Sequence, residues 1–195
     1  ISELASKDRV IITNDTFPYE TLKVRTLNGA HMALGCIGHQ CGYEHTHEAM
    51  ADSNIREFAI GFMEEVGKTI KPTDGITHDD FRKDLLDRLD NPQICDQLTR
   101  LCRNGVSKVP SRFLNTIRDL KANEGNNSFQ HLAFSLAAWI NYMGGLDENG
   151  YLPGAGPNDE PNDKAAADIG LIKLAKSAIG NPGAIFAERQ IFGKD

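Results

Sequence analysis

A nearly all-α, multi-helical fold is what this sequence predicts, and three observations carry the prediction. Apolar residues recur at helical spacing in one segment after another, as in Phe81, Leu85, Leu86 and Leu89, or Phe129, Leu132, Ala133, Leu136 and Ile140. Strand and helix patterns do not alternate, so no doubly wound sheet is encoded. No G-x-G-x-x-G follows a strand. Gly154-Ala-Gly156 and Gly180-Asn-Pro-Gly183 read as loop glycines that open no nucleotide-binding βαβ unit.

Taken in order, Arg9 to Asn14 is rich in β-branched residues and reads as a short strand. Asp15 or Thr16 caps the next helix, and Pro18 suits its first turn. That helix carries Tyr19 to about Ile37, where Gly38 and Gly42 loosen or break it. Helices are expected from about Tyr43 to Met50 and from Asn54 to about Lys68. Pro72-Thr73-Asp74-Gly75 is a turn, and Thr77 with Asp80 resembles a helix start. Asn91-Pro92 starts another helix, with Ile94, Leu98 and Leu101 as its core stripe, and Arg103-Asn104-Gly105 ends it. Pro110 to Lys121 and Ser128 to Met143 read as two more. In the second, Trp139 with Phe129, Phe134 and Tyr142 packs the core. Leu146 to Asp163 is rich in Gly, Pro, Asp and Asn and forms the longest loop. Asp163 to Ile179 and Gly183 to Phe192 close the chain as helices.

The 195 residues are 40% hydrophobic and 25% charged, as expected for one soluble globular domain over 1–195. A net charge of −6 argues against a general nucleic-acid surface. No apolar run approaches the roughly 20 residues that span a bilayer. No basic leader precedes an apolar stretch, so a cytoplasmic location is expected. The first residue is Ile1, which suggests a piece of a longer protein. Cys36, Cys41, Cys95 and Cys102 lack the tight pairs of a zinc site and read as free thiols. No metal site is expected elsewhere. His45 and His47, at i and i+2, would point about 200° apart on an α-helix, and H-E-x-x-H is missing. His39, His78 and His131 have no partner spacing and read as surface or core histidines.

Chemistry concentrates between Glu20 and His31. Lys23, Asn28 and His31 sit at i, i+5 and i+8. At roughly 100° per residue, Asn28 and His31 lie about 60° apart on the wheel and Lys23 about 80° from His31. A proton acceptor, an amide and an imidazole then reach one point. Interconverting an alcohol and a ketone needs such a set, one group moving the hydroxyl proton and others holding the oxygen as its charge changes. The hydride must go to a cofactor, because side chains do not accept it.

The surrounding residues extend the pattern: Asn14-Asp15, Phe17-Pro18-Tyr19-Glu20, Lys23-x-Arg25-x-Leu27-Asn28-Gly29-Ala30-His31, His47-Glu48-Ala49-Met50, Asn91-Pro92-x-Ile94-x-Asp96-Gln97-Leu98-x-Arg100, Gly105-x-Ser107-Lys108-x-Pro110-x-Arg112, and Ala137-Ala138-Trp139 with Asp147-Glu148-Asn149-Gly150. This series resembles the polyol-specific long-chain dehydrogenases, which include mannitol 2-dehydrogenase and fructuronate (mannonate) reductase. His39-Gln40-Cys41 departs from the apolar residues usual there. The resemblance implies a helical carboxy-terminal domain similar to that of 6-phosphogluconate dehydrogenase. It implies an amino-terminal Rossmann-type domain, outside this chain, that binds NAD or NADP. It implies Lys23 as the general acid/base, working well below the free lysine value of about 10.4. Asn28 and His31 would bind the reacting oxygen and stabilise partial negative charge on it. Glu20 would relay protons, although a surface ion pair with Lys23 at i, i+3 explains it as simply. Arg100 and Lys108 would hold substrate hydroxyls or a carboxylate. The family is metal-independent as a rule. The substrate is then a polyol or a sugar acid, and the shared motif does not separate the two. A helical interaction or dimerisation domain without chemistry is the alternative of another class. Cofactor preference and oligomeric state are left open.

Overall fold

The protein is described here by a computed structural model over residues 11–124, 129–178 and 182–193. The expected helical class holds. Among the described residues there is no strand, and the β-type contacts are two isolated bridges, His45 to Gln97 and Thr73 to Ile76. The strand expected over Arg9 to Asn14 does not form where it is described. Ile11–Asn14 is irregular, and Arg9 and Val10 lie outside the described residues. A lone strand with no neighbour has nowhere to place its backbone hydrogen bonds.

The first helix runs without a break over 17–40 but changes type twice. It is α1 (Phe17–Leu22), a π-helical segment π1 (Lys23–Asn28), then α2 (Gly29–Gln40). The Gly29 N–H reaches back to the Val24 carbonyl, the i→i−5 bond that defines a π turn. Short helices α3 (Thr46–Ala51) and α5 (His78–Leu89) flank the longer α4 (Ser53–Gly67). The Asp52 and Thr77 side chains cap α4 and α5 by accepting backbone N–H bonds, Thr77 as its sequence suggests. Next come α6 (Leu98–Cys102) and a second continuous helix over 105–124: α7 (Gly105–Val109), π2 (Pro110–Leu114) and α8 (Asn115–Glu124). Pro110 explains π2. A proline inside a helix lacks its N–H and clashes with the carbonyl four residues back, and widening the turn relieves both. The Asn115 N–H then bonds to the Pro110 carbonyl, five residues earlier. After α9 (Gln130–Gly144) and the long loop come α10 (Lys164–Asp168), α11 (Leu171–Ser177), α12 (Pro182–Phe186) and α13 (Arg189–Phe192). The single helices expected over Asp163 to Ile179 and Gly183 to Phe192 are each divided. Gly170, at φ 71°, turns the chain between α10 and α11.

The core forms around α2, whose Ala30, Met32, Ala33, Leu34, Gly35, Cys36 and Gly38 are buried. Gly38 does not break this helix; it lets α6 and α3 approach. A Cβ at Gly38 would meet Leu98 at 2.8 Å and Ala49 at 3.0 Å, and one at Gly35 would meet Cys102 Sγ, Leu101 Cβ and the Leu98 carbonyl at 2.9 Å each. On the other side α9 contributes Leu132, Leu136, Trp139, Tyr142 and Met143. Phe134 and Ala133 are exposed instead of packed, and Phe134 rests on Phe58 at 5.4 Å between ring centroids.

The helix expected to begin at Asn91-Pro92 starts only at Leu98, and Ile94 is exposed. The cause is a long-range backbone pairing. Thr46 N–H donates to the Asp96 carbonyl, and Leu98 N–H to the Glu44 carbonyl. These bonds hold 96–98 extended against 44–46 and leave Cys95 at φ 47°. Two buried carboxylates close helix ends from a distance. Glu65 accepts from the His131 and Leu132 N–H groups at the start of α9. Asp163 accepts from Val106 N–H of α7 and Ala166 N–H of α10.

Candidate functional site

Asn28, His31, Arg100 and Lys108 line one open concavity of about 250 Å³, together with Arg88, Asp96 and Arg112. Leu27 and Asn28 of π1 and His31 of α2 form one side of it, and α5, α6, α7 and π2 bring in the cations. Lys23 is exposed and lies outside this wall. Glu20 lines a neighbouring groove with Phe17, Val24 and Ser111. The helical wheel placing Lys23 is corrected by the π turn, since the segment is not α over Lys23–Asn28. An α-helix would separate residues i and i+5 by about 140°. In a π turn the i→i+5 bond stacks them, one above the other. The angle between Lys23 and Asn28 is therefore smaller than the α-helical wheel gives, yet Lys23 stays outside the concavity that Asn28 and His31 line.

The imidazole of His31 is oriented on one side. Its Nδ1 lies 2.8 Å from the Leu27 carbonyl, which can only accept, so Nδ1 carries the proton. Its Nε2 faces Asp96 at 3.8 Å. Burial is the largest influence on this ring and pulls its pKa below the ordinary value, opposed more weakly by the Leu27 carbonyl bond and then by Asp96. A neutral His31 so oriented offers Nε2 as an acceptor. This modifies the expectation that it stabilises negative charge, which would need the imidazolium.

Asp96 also accepts a hydrogen bond from Arg100 and so joins His31 and Arg100 on one rim. Burial, with the Arg112 charge beside it, lowers the Lys108 pKa. The Arg112 guanidinium is likewise pulled down by burial, and among the described residues it has no carboxylate partner. Its Nη1 donates to the Asn28 carbonyl at 3.2 Å. Arg88, Asp96 and Arg112 were not singled out by spacing. Asp96 reaches the site through the pairing of 96–98 with 44–46, and Arg112 through π2, signals that a helical wheel does not carry.

Elsewhere, the geometry assumed for His45 and His47 fails, because His45 is the extended N-cap of α3. The two rings stack at 5.7 Å between centroids. Among the described residues no group of three or more His, Cys, Asp or Glu side chains is arranged to hold a metal. Cys36 and Cys102 are buried free thiols, and Cys41 and Cys95 exposed ones. Among the described residues no helix is long and apolar enough to cross a membrane.

The sequence profile described as the mannitol dehydrogenase C-terminal domain matches residues 15–194. The chain belongs to this family. Among relatives, a mannitol 2-dehydrogenase of Aspergillus terreus is 31% identical over 194 residues, covering 99% of this chain and 37% of that protein. An uncharacterised oxidoreductase of Escherichia coli, YdfI, is 34% identical over 140 residues, covering 71% of this chain and 28% of that protein. Among solved structures, Pseudomonas fluorescens mannitol 2-dehydrogenase in ternary complex with NAD and D-mannitol superposes with a TM-score of 0.79. It is 33% identical, over 93% of this chain and 35% of the other. A D-sorbitol dehydrogenase in substrate-free form shares the fold, with a TM-score of 0.69 at 24% identity, over 96% of this chain and 42% of the other. The chain thus spans 35% and 42% of these two solved proteins and 37% of the Aspergillus relative.

Proposed function

We propose that this chain is the substrate-binding domain of an NAD(P)-dependent dehydrogenase that interconverts a polyol and a ketose, in the manner of mannitol 2-dehydrogenase. The observation that carries the reading is the shared wall of Asn28, His31, Arg100 and Lys108, in a chain 33% identical to an enzyme described with NAD and D-mannitol. In the proposed oxidation the reacting hydroxyl gives its proton to Lys23 Nζ. The side-chain amide of Asn28 donates to the same oxygen as it gains charge. His31 Nε2 accepts from a substrate hydroxyl, and a polyol offers one on every carbon. Arg100, held by Asp96, and Lys108 grip the distal hydroxyls. Glu20 passes the Lys23 proton to solvent. The nicotinamide supplies the hydride acceptor; with no Gly-rich βαβ turn, this chain is not expected to hold the dinucleotide itself. A second reading is favoured by charge. Among the lining residues Arg88, Arg100 and Lys108 face one carboxylate, Asp96, and this excess suits a hexuronate or aldonate as in fructuronate reductase.

The test uses the whole protein that contains this chain, with D-mannitol and D-mannonate as competing substrates and both cofactors. Lys23→Ala should lower turnover by at least about 10²-fold, and a small primary amine should restore part of it. Near-normal turnover of Lys23→Ala across pH 6 to 10 would remove Lys23 as the base. Tight stoichiometric binding of NAD(H) to the isolated chain at micromolar concentration would overturn the division of labour.

A further inference from the structure

π turns are uncommon, and this chain has two in contact, π1 and π2. Their approach is close. A Cβ on Gly29, the first residue after π1, would lie 3.0 Å from the Phe62 ring and 3.5 Å from the Arg112 carbonyl. One flank of π1 is tied down by Arg25, whose Nη1 donates to Asp119 at 2.6 Å and to Thr69 at 3.1 Å. The other flank meets Arg112. This half-buried guanidinium has no carboxylate partner among the described residues, and its hydrogen bond runs to the Asn28 carbonyl at 3.2 Å. Keeping an arginine there, without a counter-charge, needs a reason beyond packing. The bond falls where π1 hands over to α2, and there the backbone sets the direction of the Asn28 side chain.

We propose that Arg112 is a positioning residue: from π2 it clamps the Asn28 carbonyl, holds the π1–α2 junction in its wide turn, and so aims the Asn28 amide at the reacting oxygen. The proposal rests on the role given to Asn28 above. It assigns Arg112 no direct contact with substrate. Displacing a positioned group by about 1 Å can cost about 10²-fold in rate, so a clamp of this kind shows in turnover before it shows in affinity.

The experiment uses the whole protein with Arg112→Met, Arg112→Lys, Asn28→Ala and the double variant Asn28→Ala/Arg112→Met. Arg112→Met should lower kcat by about tenfold or more with little change in KM, and Arg112→Lys, which keeps one donor, should recover most of it. The double variant should be no slower than Asn28→Ala, because the clamp acts through that residue. Multiplying losses, or a loss confined to KM, would make Arg112 a substrate contact and overturn the proposal. Amide hydrogen exchange in the protein without substrate gives an independent reading. Amides over 24–32 should exchange roughly tenfold faster in Arg112→Met, and near the native rate in Arg112→Lys. Unchanged exchange in Arg112→Met would overturn the clamp even if polyol turnover is confirmed. A protein that turns over no polyol, but whose exchange responds as expected, would sink the proposed function and leave the clamp standing.

Discussion

The two halves of the helix over 17–40 are built on opposite terms. From Gly29 onward, glycine, alanine and a few large apolar residues face neighbours on nearly every side. Before it, through α1 and π1, Leu22 and Thr26 are the buried residues, and Lys23 is in solvent. One half is shaped by how closely other helices can approach, while the other turns its polar side chains to solvent and to two separate grooves, with Glu20 in one and Asn28 in the other. Stability and chemistry should therefore separate along a single helix, within about a dozen residues.

The sharpest break of this comparison is on the packed side. Gly35→Val places a branched side chain where even a Cβ meets sulfur, carbon and a backbone oxygen at 2.9 Å. We expect a loss of about 3 kcal/mol or more, or roughly 6–12 °C in melting temperature for a chain of this length. Thermal denaturation reads it, and a melting temperature within about 2 °C of wild type would mean α6 can move away. On the chemical side the pattern reverses. Asn28→Ala in the whole protein should lower kcat by about 10²- to 10³-fold while the melting temperature stays nearly constant, since it removes a donor from a concavity and little packing. A large drop in stability there would erase the distinction between the halves. Arg100→Ala should act more mildly. It should raise KM more than it lowers kcat, because it removes a group that binds substrate and transition state alike. It also frees Asp96 to pair with His31, so the acid limb of the pH profile should move up in this variant.

The smallest effect expected is on stability against pH. Burial lowers the pKa of His31, His39 and His78. For each, the unfolded chain binds its proton near the ordinary value of about 6.5, and the folded chain only at lower pH. Their contribution is thus fully present above about 6.5 and is lost as pH falls below it. The carboxylates held low by backbone N–H bonds, such as Asp52 at the start of α4, act in a separate, more acid window. Melting curves from pH 7.5 to 5 should show the decline. His78→Gln should flatten part of it, since Nε2 of His78 is buried without a partner among the described residues. A melting temperature that rises over this range on acidification would contradict the assignment.

The sequence was most legible where local chemistry decides. Thr77 caps α5, and Asn104 with Gly105 separates α6 from α7. Helical spacing groups Lys23, Asn28 and His31, and the family resemblance adds Arg100 and Lys108; four of these five line one concavity, and Lys23 does not. What stayed hidden depends on distant contacts. The apolar spacing of Ile94, Leu98 and Leu101 suits a helix, but pairing with residues 44–46 keeps its first half extended and delivers Asp96 to His31. The π2 turn had a cue in Pro110. The π1 turn had none, because apolar periodicity does not distinguish a helix with one wide turn from one without. That blind spot fell on Lys23.

Glu65 and Asp163 close helix starts that lie 66 and 57 residues away along the chain. Phe129, at the N-cap of α9, makes no capping bond of its own. The start of α9 therefore stays open until α4 docks, and that of α7 until the long loop has folded back to it. Helices that cannot finish themselves make poor autonomous units, so this arrangement ties the order of assembly to long loop closures. Slower folding is the expected consequence, with few partly formed states in which one helix stands while its neighbours are loose.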